Sequence, residues 1–450
     1  MSNIIIPREG IDPKAKTGAL IGMAEIILKD ADTGKVKEVV RQKNMLTNAL
    51  NSIFNKPPYG FGDAKLNNVV SVPTVSHQPI INTALGGILL FPHTLGNDAD
   101  MMYPDFDSNY PTGYASVSSY TQDDSRQGAY DAVSSGAITN GFRHVYTWGS
   151  AFGNGTIASV ALSHKNCHKY FNDLSNLGIL RVSDNNNLKY IGNVTPHHSN
   201  SAWLIGANSK GLFFNGGYGS YESFPSTPIV SKWKKKVYDV DLLFDNITLP
   251  ADDFEDVFTY PAWGFFCVDE DYLYYIRVTS STSASSTFTL YTIDLDDYES
   301  VTQTNFTVAA NLLSNAGYKG DTFAKRGNYI YLFKADSSAV YKINLNNAAD
   351  VTEIELPSGL TTPAAFGMSV VKDIIMGFGF IIGTDDVARA STGINGFRMF
   401  NTEGVWCVYG SNAVGAGIVT PFTASHADLQ TSVTKTADKQ MIVNYSIIQS

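Results

Sequence analysis

Two histidines and a cysteine are the first residues whose types and spacing suggest chemistry. The run HKNCH holds His164, Cys167 and His168, near enough together for a zinc ion to share. A structural zinc site takes four ligands, and this spacing is incomplete unless His197-His198 closes it across space; a polar linker between domains reads the same residues equally simply. Carboxylates gather at LDDYES (Asp296, Asp297, Glu299) and ADDFEDVF (Asp252, Asp253, Glu255, Asp256). A glycosidase would need an opposed pair of such groups, but runs of acids are commonly solvated turns. The loop NGGYGSY at 215–221 is glycine-rich without the strand, helix and lysine that phosphate binding requires. No Gly-x-Ser-x-Gly elbow and no His-Glu-x-x-His pair occurs. The expectation is a protein that is not an enzyme and uses neither cofactor nor metal.

Aromatic side chains in turn-rich surroundings offer a different chemistry, stacking against sugar rings. Trp203, Tyr218, Tyr221, Trp233 and Tyr260 form the candidate ligand-binding set, while Trp263 in PAWGFF is crowded by apolar neighbours and reads as packing. Packing inside a β-domain is the competing use for every one of them. Tyr218 and Tyr221, set among glycines and serines, are the better candidates.

The elements that must position these groups follow from the totals. At 450 residues the chain exceeds one usual core. Charged residues make up only 16%, while 24 Tyr, 25 Phe and 38 Gly favour strands and turns. A net charge of -10 disfavours nucleic acid and anionic membrane surfaces. The run Lys234-Lys235-Lys236 reads as a solvated strand end. Cys167, Cys267 and Cys407 are odd in number and widely spaced, so no disulfide framework is expected. MSNIIIPREG is no signal peptide, and charges interrupt every long apolar run. A soluble chain made in a cytoplasm is therefore expected.

Helical spacing of Val40, Met45, Leu46, Leu50 and Ile53 predicts a helix over 37–56, ended by Pro57-Pro58. Upstream, apolar runs flanking Asp32-Thr33-Gly34 predict a hairpin. A long turn-rich excursion fills 57–140, of the kind that a neighbouring subunit often clamps. The segment 141–164 predicts a second hairpin about a Gly-Asn-Gly turn. Beyond about 175 the sequence repeats: DYLYYIRV from Asp271 matches NYIYLFKA from Asn328, followed by YTIDLDD and YKINLNN. Weaker copies are DIIMGFGFI with GFRMFNTEG, SKGLFFNGG with KVYDVDLLFDN, and LGILRVSDNNNLKYIGNV. Five units recur at about 47 residues, within the range of four-stranded propeller blades.

In NYIYLF, Tyr329, Tyr331 and Phe333 occupy one face of a strand and Ile330 and Leu332 the other, so neither face suits water. A blade sandwiched between neighbours explains this; a stacked sandwich of irregular hairpins is the alternative. The final alternation of Met441, Val443, Tyr445 and Ile447 needs a partner strand, and the first domain is the expected one. The predicted fold is mainly β: a β-sandwich-like module built from both termini (1–170 plus 411–450), with an inserted β-propeller-like domain of about five blades (171–410).

Five stretches in order, VVRQKNMLTNAL (39–50), LGGILLF (85–91), TGYAS (112–116), GFRHVYTWGSAFGNGTIASVALSH (141–164) and VTKTADKQMIVNYSI (433–447), together resemble tail and baseplate proteins of phages and prophages of Gram-positive bacteria. The resemblance covers the first 165 or so residues and the last 30, and none of the inserted domain. It implies a virion structural protein of the tail, baseplate or fibre, assembled in the host cytoplasm. Its terminal module would dock on other tail or baseplate proteins, and its insert would bind a cell-surface glycan of the host. A homo-oligomer with no membrane insertion is expected, since the irregular chain between 57 and 140 needs partners. A wall-degrading enzyme of the tail, and a non-adhesive head-fibre or decoration protein, are the competing readings.

Overall fold

The computed structural model describes residues 20–54, 85–96, 98–100, 111–117, 125–165, 167, 178–181, 202–216, 229–233, 254–260, 264–314, 322–360, 367–371, 373–390, 398–410, 414–420 and 422–449. Among them the chain is mainly β, with one short α-helix, α1 (Asn48–Phe54). Strands from the two chain ends build a ten-stranded sheet, and the middle forms five separate four-stranded antiparallel sheets in a propeller-like arrangement.

In the terminal sheet, β1 (Leu20–Asp30) and β2 (Val36–Leu46) form the hairpin expected about Asp32-Thr33-Gly34. Asp30 caps the turn by accepting from the Thr33 amide at 2.8 Å, and Gly34 takes the left-handed φ of 68° that a side chain would resist. The helix predicted over 37–56 is thereby corrected: its first half is strand β2, and only Asn48–Phe54 is helical. Val40, Gln42 and Asn44 turn inward while Val39, Arg41 and Lys43 are exposed, a two-residue period. Apolar residues from two consecutive elements had imitated one helical stripe.

The last strand, Lys439–Gln449, pairs with β1 from Leu20↔Gln449 to Asp30↔Lys439, and on its other side with β7 (Gly141–Trp148). Between β2 and β7 the chain contributes β3 (Gly87–Phe91), β4 (Gly113–Ser116), β5 (Ala129–Tyr130) and β6 (Gly136–Ile138). After β7 comes β8 (Gly155–Ser163), and the hairpin predicted for 141–164 is not formed. β7 pairs with Lys439–Gln449, β5 and β6, whereas β8 pairs with β3 and with Ser425–Lys435. The Gly-Asn-Gly turn instead passes the chain between the two halves of the sheet, with Gly153 at φ 63° against the buried Trp148 ring. Met45↔His426 and Leu46↔Ser425 join those halves, and Ala24, Ile26, Tyr146, Trp148, Ile157, Val433 and Tyr445 share one core.

We number the central sheets I to V. Sheet I holds Ala202–Asn208, Gly211–Gly216, Ile229–Trp233 and Phe254–Thr259; sheet II holds Phe265–Val268, Tyr272–Ser281, Ser286–Asp294 and Val301–Val308. Sheet III holds Ala324–Arg326, Tyr329–Phe333, Ala339–Asn344 and Asn347–Glu355; sheet IV holds Met368–Val371, Ile374–Gly377, Phe380–Ile382 and Ala388–Ala390. Sheet V takes Arg398–Glu403, Trp406–Gly410 and Val414–Thr420, and its fourth strand is Gly178–Arg181 from before sheet I. The first strand of I lies against those of II and V, and that of IV against those of III and V. Sheets II and III meet where the Phe323 amide donates to Phe266 O at 2.9 Å.

The doubly apolar strand Tyr329–Phe333 shows what the layering does. Ile330 and Leu332 pack into one core with Ile276, Phe288 and Leu290 of sheet II, while Tyr331 and Phe333 pack into another with Ile375, Phe380 and Ile382 of sheet IV. Each such side chain, fully covered, contributes about 1.5–3 kcal/mol. The matched segments DYLYYIRV and NYIYLFKA are both second strands, and YTID and YKIN both lie in third strands. The weaker copies are less regular. DIIMGFGFI spans the second and third strands of IV, but RMFNTE of the following stretch is the first strand of V. KVYDVDLLFDN lies outside the described residues. Val414–Thr420 also pairs within sheet V, so the last sheet runs past the boundary expected at 410. Its glycine-rich sequence, VGAGIVT, lacks the aromatic alternation that marks the other strands.

Candidate functional site

Antiparallel connectivity gives the propeller-like stack of sheets two ends. The chain enters it at Gly178 and leaves it after Thr420, and these residues are paired, so both crossings to the terminal sheet lie at one end of sheet V. Strand alternation places the turns between first and second strands, and between third and fourth, at this proximal end. Here Trp406 Nε1 donates to Ser52 O of α1 at 3.0 Å, fastening the helix to sheet V. The turns between second and third strands, and the connections from sheet to sheet, lie at the opposite, distal end.

The distal rim of sheets II and III is built from short hydroxyl side chains. Thr282 Oγ1 donates to Ser285 O at 2.8 Å and accepts from the Ser285 amide at 3.0 Å, an ST-type turn. Behind it, Ser286 Oγ donates to Ala310 O at 2.7 Å and Ser281 Oγ to Leu312 O at 2.7 Å, pinning the connection to sheet III. In the matching turn of sheet III, Asp336 accepts from the Ser338 hydroxyl at 2.7 Å and amide at 3.0 Å, and the hydroxyl bond is the main cause holding its carboxyl below the usual range. Thr282, Ser283, Ser285, Asp336 and Ser338 are exposed on this fixed backbone. Such a surface offers hydrogen bonds to neutral polar ligands without strong charge.

The aromatic candidates divide. Trp203 lies on the first strand of sheet I, opposite Asn215, near the distal end of that strand. Tyr218 and Tyr221 are outside the described residues, in a segment flanked by Gly216 and Ile229, which pair at that same distal end. Trp233 and Tyr260 are corrected. Trp233 is fully buried in the core with Leu212, Phe214 and Phe254, because it ends a third strand whose faces are both covered. Tyr260 is also buried, its ring 5.0 Å from that of Phe266 and its hydroxyl donating to Asn215 Oδ1, and burial pushes its pKa well up. Both fill cores of the central sheets and are closed off from solvent. Trp263 lies outside the described residues.

Among the described residues no group of three His, Cys, Asp or Glu is placed to hold a metal ion. His164 stacks on Phe422 at 5.6 Å, and the buried Cys167 Sγ lies 3.7 Å from Ala115 O; His168, His197 and His198 are outside the described residues. Burial raises the Cys267 thiol to about 12 and the Cys407 thiol still further, the reverse of what a nucleophile needs. Asp296, Asp297 and Glu299 are exposed at the proximal end of sheet II. Glu255 accepts from Tyr298 Oη at 2.7 Å and pairs with Lys232 at 3.0 Å.

Sequence reasoning missed the ionic latches between sheets. Asp386 accepts from Arg326, from Tyr331 Oη at 3.0 Å and from Lys342 at 2.6 Å, while Arg326 also donates to Asp373 O and Gly383 O at 2.7 and 2.8 Å. Asp269 accepts from Tyr274 Oη at 2.9 Å and pairs with Lys325 at 3.3 Å, whose ammonium sits 4.7 Å above the Tyr274 ring. The one local signal is Asp386 itself, an acid in a turn at φ 58°.

No family model matches this chain, and no curated protein does. Among solved structures it is similar to a glutaminyl cyclase of Myxococcus xanthus at 8% identity and TM-score 0.29, over 53% of this chain and 95% of that one. It is similar to Hsv2 of Kluyveromyces lactis at 8% identity and TM-score 0.24, over 52% and 99%. An α-L-arabinofuranosidase from Fusarium graminearum aligns at 13% identity and TM-score 0.23, over 78% and 98%. Likeness at this level bears on neither activity nor ligand.

Proposed function

We propose that this chain is a structural protein of a bacteriophage tail, baseplate or fibre that binds a cell-wall glycan of its Gram-positive host. The observation that carries the reading is the pairing of Gly178 with Thr420, which keeps both crossings to the terminal sheet at one end of the ring and leaves the distal end free of them. The two halves of the terminal sheet serve as a β-sandwich that docks on other tail proteins. The five sheets serve as the blades of one ring, closed by the early strand Gly178–Arg181. Trp203, Tyr218 and Tyr221 stack on sugar rings, and the distal hydroxyl rim at Thr282, Ser285 and Ser338 hydrogen-bonds sugar hydroxyls. Weak single contacts become firm because one particle carries many copies.

The sequence resemblance of both chain ends to tail proteins, together with the hydroxyl-rich distal rim, supports this reading. It is tested with purified protein and isolated Gram-positive cell walls. The chain sediments with the walls, and Trp203→Ala combined with Tyr218→Ala and Tyr221→Ala abolishes this while the melting temperature stays unchanged. No sedimentation with any wall preparation overturns adhesion, and release of reducing sugar from the walls replaces it with an enzyme.

A further inference from the structure

The outer face of the terminal sheet is a second surface with its own chemistry. Inward residues of β1 and Lys439–Gln449 fill the core, and among the described residues those between them form a partly exposed outer face. Ile27 stands directly between Val39 and Ile442, and Ile21 beside Ile448, with Met23 between these groups along β1. Met23 and Val39 are 41% and 40% exposed. The rim is rich in cations: among the described residues Lys29, Lys37, Arg41, Lys43 and Arg143 lie here with the carboxylates of Glu25 and Asp30. Arg41 pairs with Glu25 at 2.6 Å and Lys37 with Asp30 at 3.1 Å, while Lys29 and Lys43 have no ion pair among the described residues. An apolar stripe inside a basic rim is at odds with a chain of net charge -10.

The matching surface is on the same molecule. At the proximal end of sheet II, Glu270, Asp271, Asp296, Asp297 and Glu299 are all exposed, beside Tyr272, itself 38% exposed. Among the described residues only Asp296 of these five has a lysine partner, Lys210 at 2.9 Å. Sheet II borders I and III, not sheet V, which carries the crossings to the terminal sheet. Two copies meeting by their basic faces would oppose cation to cation. Meeting basic face to acidic end, they place carboxylates over the cationic rim and Tyr272 over the apolar stripe.

We propose that the outer face of β1, β2 and Lys439–Gln449 docks a second copy of this chain through the proximal turns of sheet II. The contact is heterologous, one patch against a different patch, and so propagates to a ring or a filament. It rests on the placement of the two surfaces and not on the virion reading. A monomer that binds cell walls sinks only this proposal, and an oligomer that binds none sinks only the other.

Light scattering coupled to gel filtration of the full chain tests it at rising protein concentration. The wild type associates at low salt and dissociates in 1 M salt, where the screening length falls to about 3 Å. Lys29→Glu with Lys43→Glu gives one monomeric variant, and Asp296→Lys with Asp297→Lys gives another. Mixing the two restores association, because each reversed surface then meets its complement. Lys43, Asp296 and Asp297 are exposed and Lys29 is half-buried, and unchanged melting temperatures show that the variants fold. A wild type that stays monomeric at low salt, association that survives either double reversal, or a mixture that stays monomeric overturns the proposal. So does capture of the wild-type monomer by phosphatidylserine vesicles through the same lysines, which would assign the face to a lipid surface.

Discussion

In the central ring, the charged side chains that leave water meet one another. Asp386 gathers Arg326, Lys342 and Tyr331 across the boundary of sheets III and IV, and Asp269 gathers Lys325 and Tyr274 across that of II and III. The terminal sheet treats a titratable group differently. His144 is only 2% exposed, its ring lies 4.8 Å from Phe142 and 6.0 Å from both Tyr130 and Tyr146, and neither ring nitrogen has a hydrogen-bond partner among the described residues. Asn44 is enclosed in the same interior with its amide unpartnered. Stacked sheets register against each other through such pairs, whereas the terminal sheet is registered by its backbone ladder and encloses His144 by volume alone. Resistance to acid should therefore differ between the two regions.

The largest expected effect tests what the ladder needs. Trp148 ends β7, is buried, and donates from Nε1 to Arg126 O at 3.1 Å while backing the turn into β8. Trp148→Ala is expected to cost about 3–5 kcal/mol. Denaturant unfolding followed by hydrogen exchange should locate the loss in the terminal sheet and leave protection of sheets II and III in place. Equal loss in both would show that they fold as one unit and dissolve the contrast drawn above.

Acid sharpens the comparison next. Burial lowers the pKa of His144 from 6.5 to about 4. The folded state thus holds a neutral ring while the unfolded chain takes up a proton first. The stability this provides is fully present above pH 6.5, declines as pH falls from 6.5 to about 4, and is lost below that. The full swing is about 3 kcal/mol. His426, buried on Ser425–Lys435, is shifted in the same direction, chiefly by burial. His144→Leu should flatten the acid limb of a melting-temperature profile. An unchanged limb would assign it to carboxylates instead.

How much of this was legible in the sequence depends on whether the signal is local. Alternation exposed the strands, and the doubly apolar NYIYLF revealed a layer covered on both sides, because burial on each face is recorded in adjacent residues. Strand β2 misled because its apolar end runs into α1, so Met45, Leu46 and Leu50 from two elements mimic one stripe. Trp233 and Tyr260 misled because prolines and serines near them suggested loops, while their burial depends on sheet II packing over sheet I. The latches were illegible for the same reason: Arg326 and Asp386 lie in different sheets, and only the stacking of III on IV joins them.

Breaking a latch should cost less than removing a core ring. Asp386→Asn leaves Arg326 and Lys342 partly buried without their carboxylate, with an expected loss of about 1–3 kcal/mol. Arg326→Met in the same background should cost far less than it does alone, because its partner is already gone. Additive losses would mean that Arg326 acts through its bonds to Asp373 O and Gly383 O rather than through the carboxylate.

The smallest effect sets the limit of the argument. Lys210 and Asp296 also bridge two sheets, I and II, at 2.9 Å, and the contact raises the lysine pKa. By distance alone this pair resembles the Asp386 latch. Their surroundings differ, since the Asp296 side chain is 78% exposed and that of Asp386 only 27%. Water and salt screen the exposed pair, so Asp296→Asn should cost under about 1 kcal/mol and the cost should vanish at high ionic strength. If urea midpoints of Asp296→Asn and Asp386→Asn fell together, geometry and not burial would set the strength of these latches, and the contrast between ring and terminal sheet would need another cause.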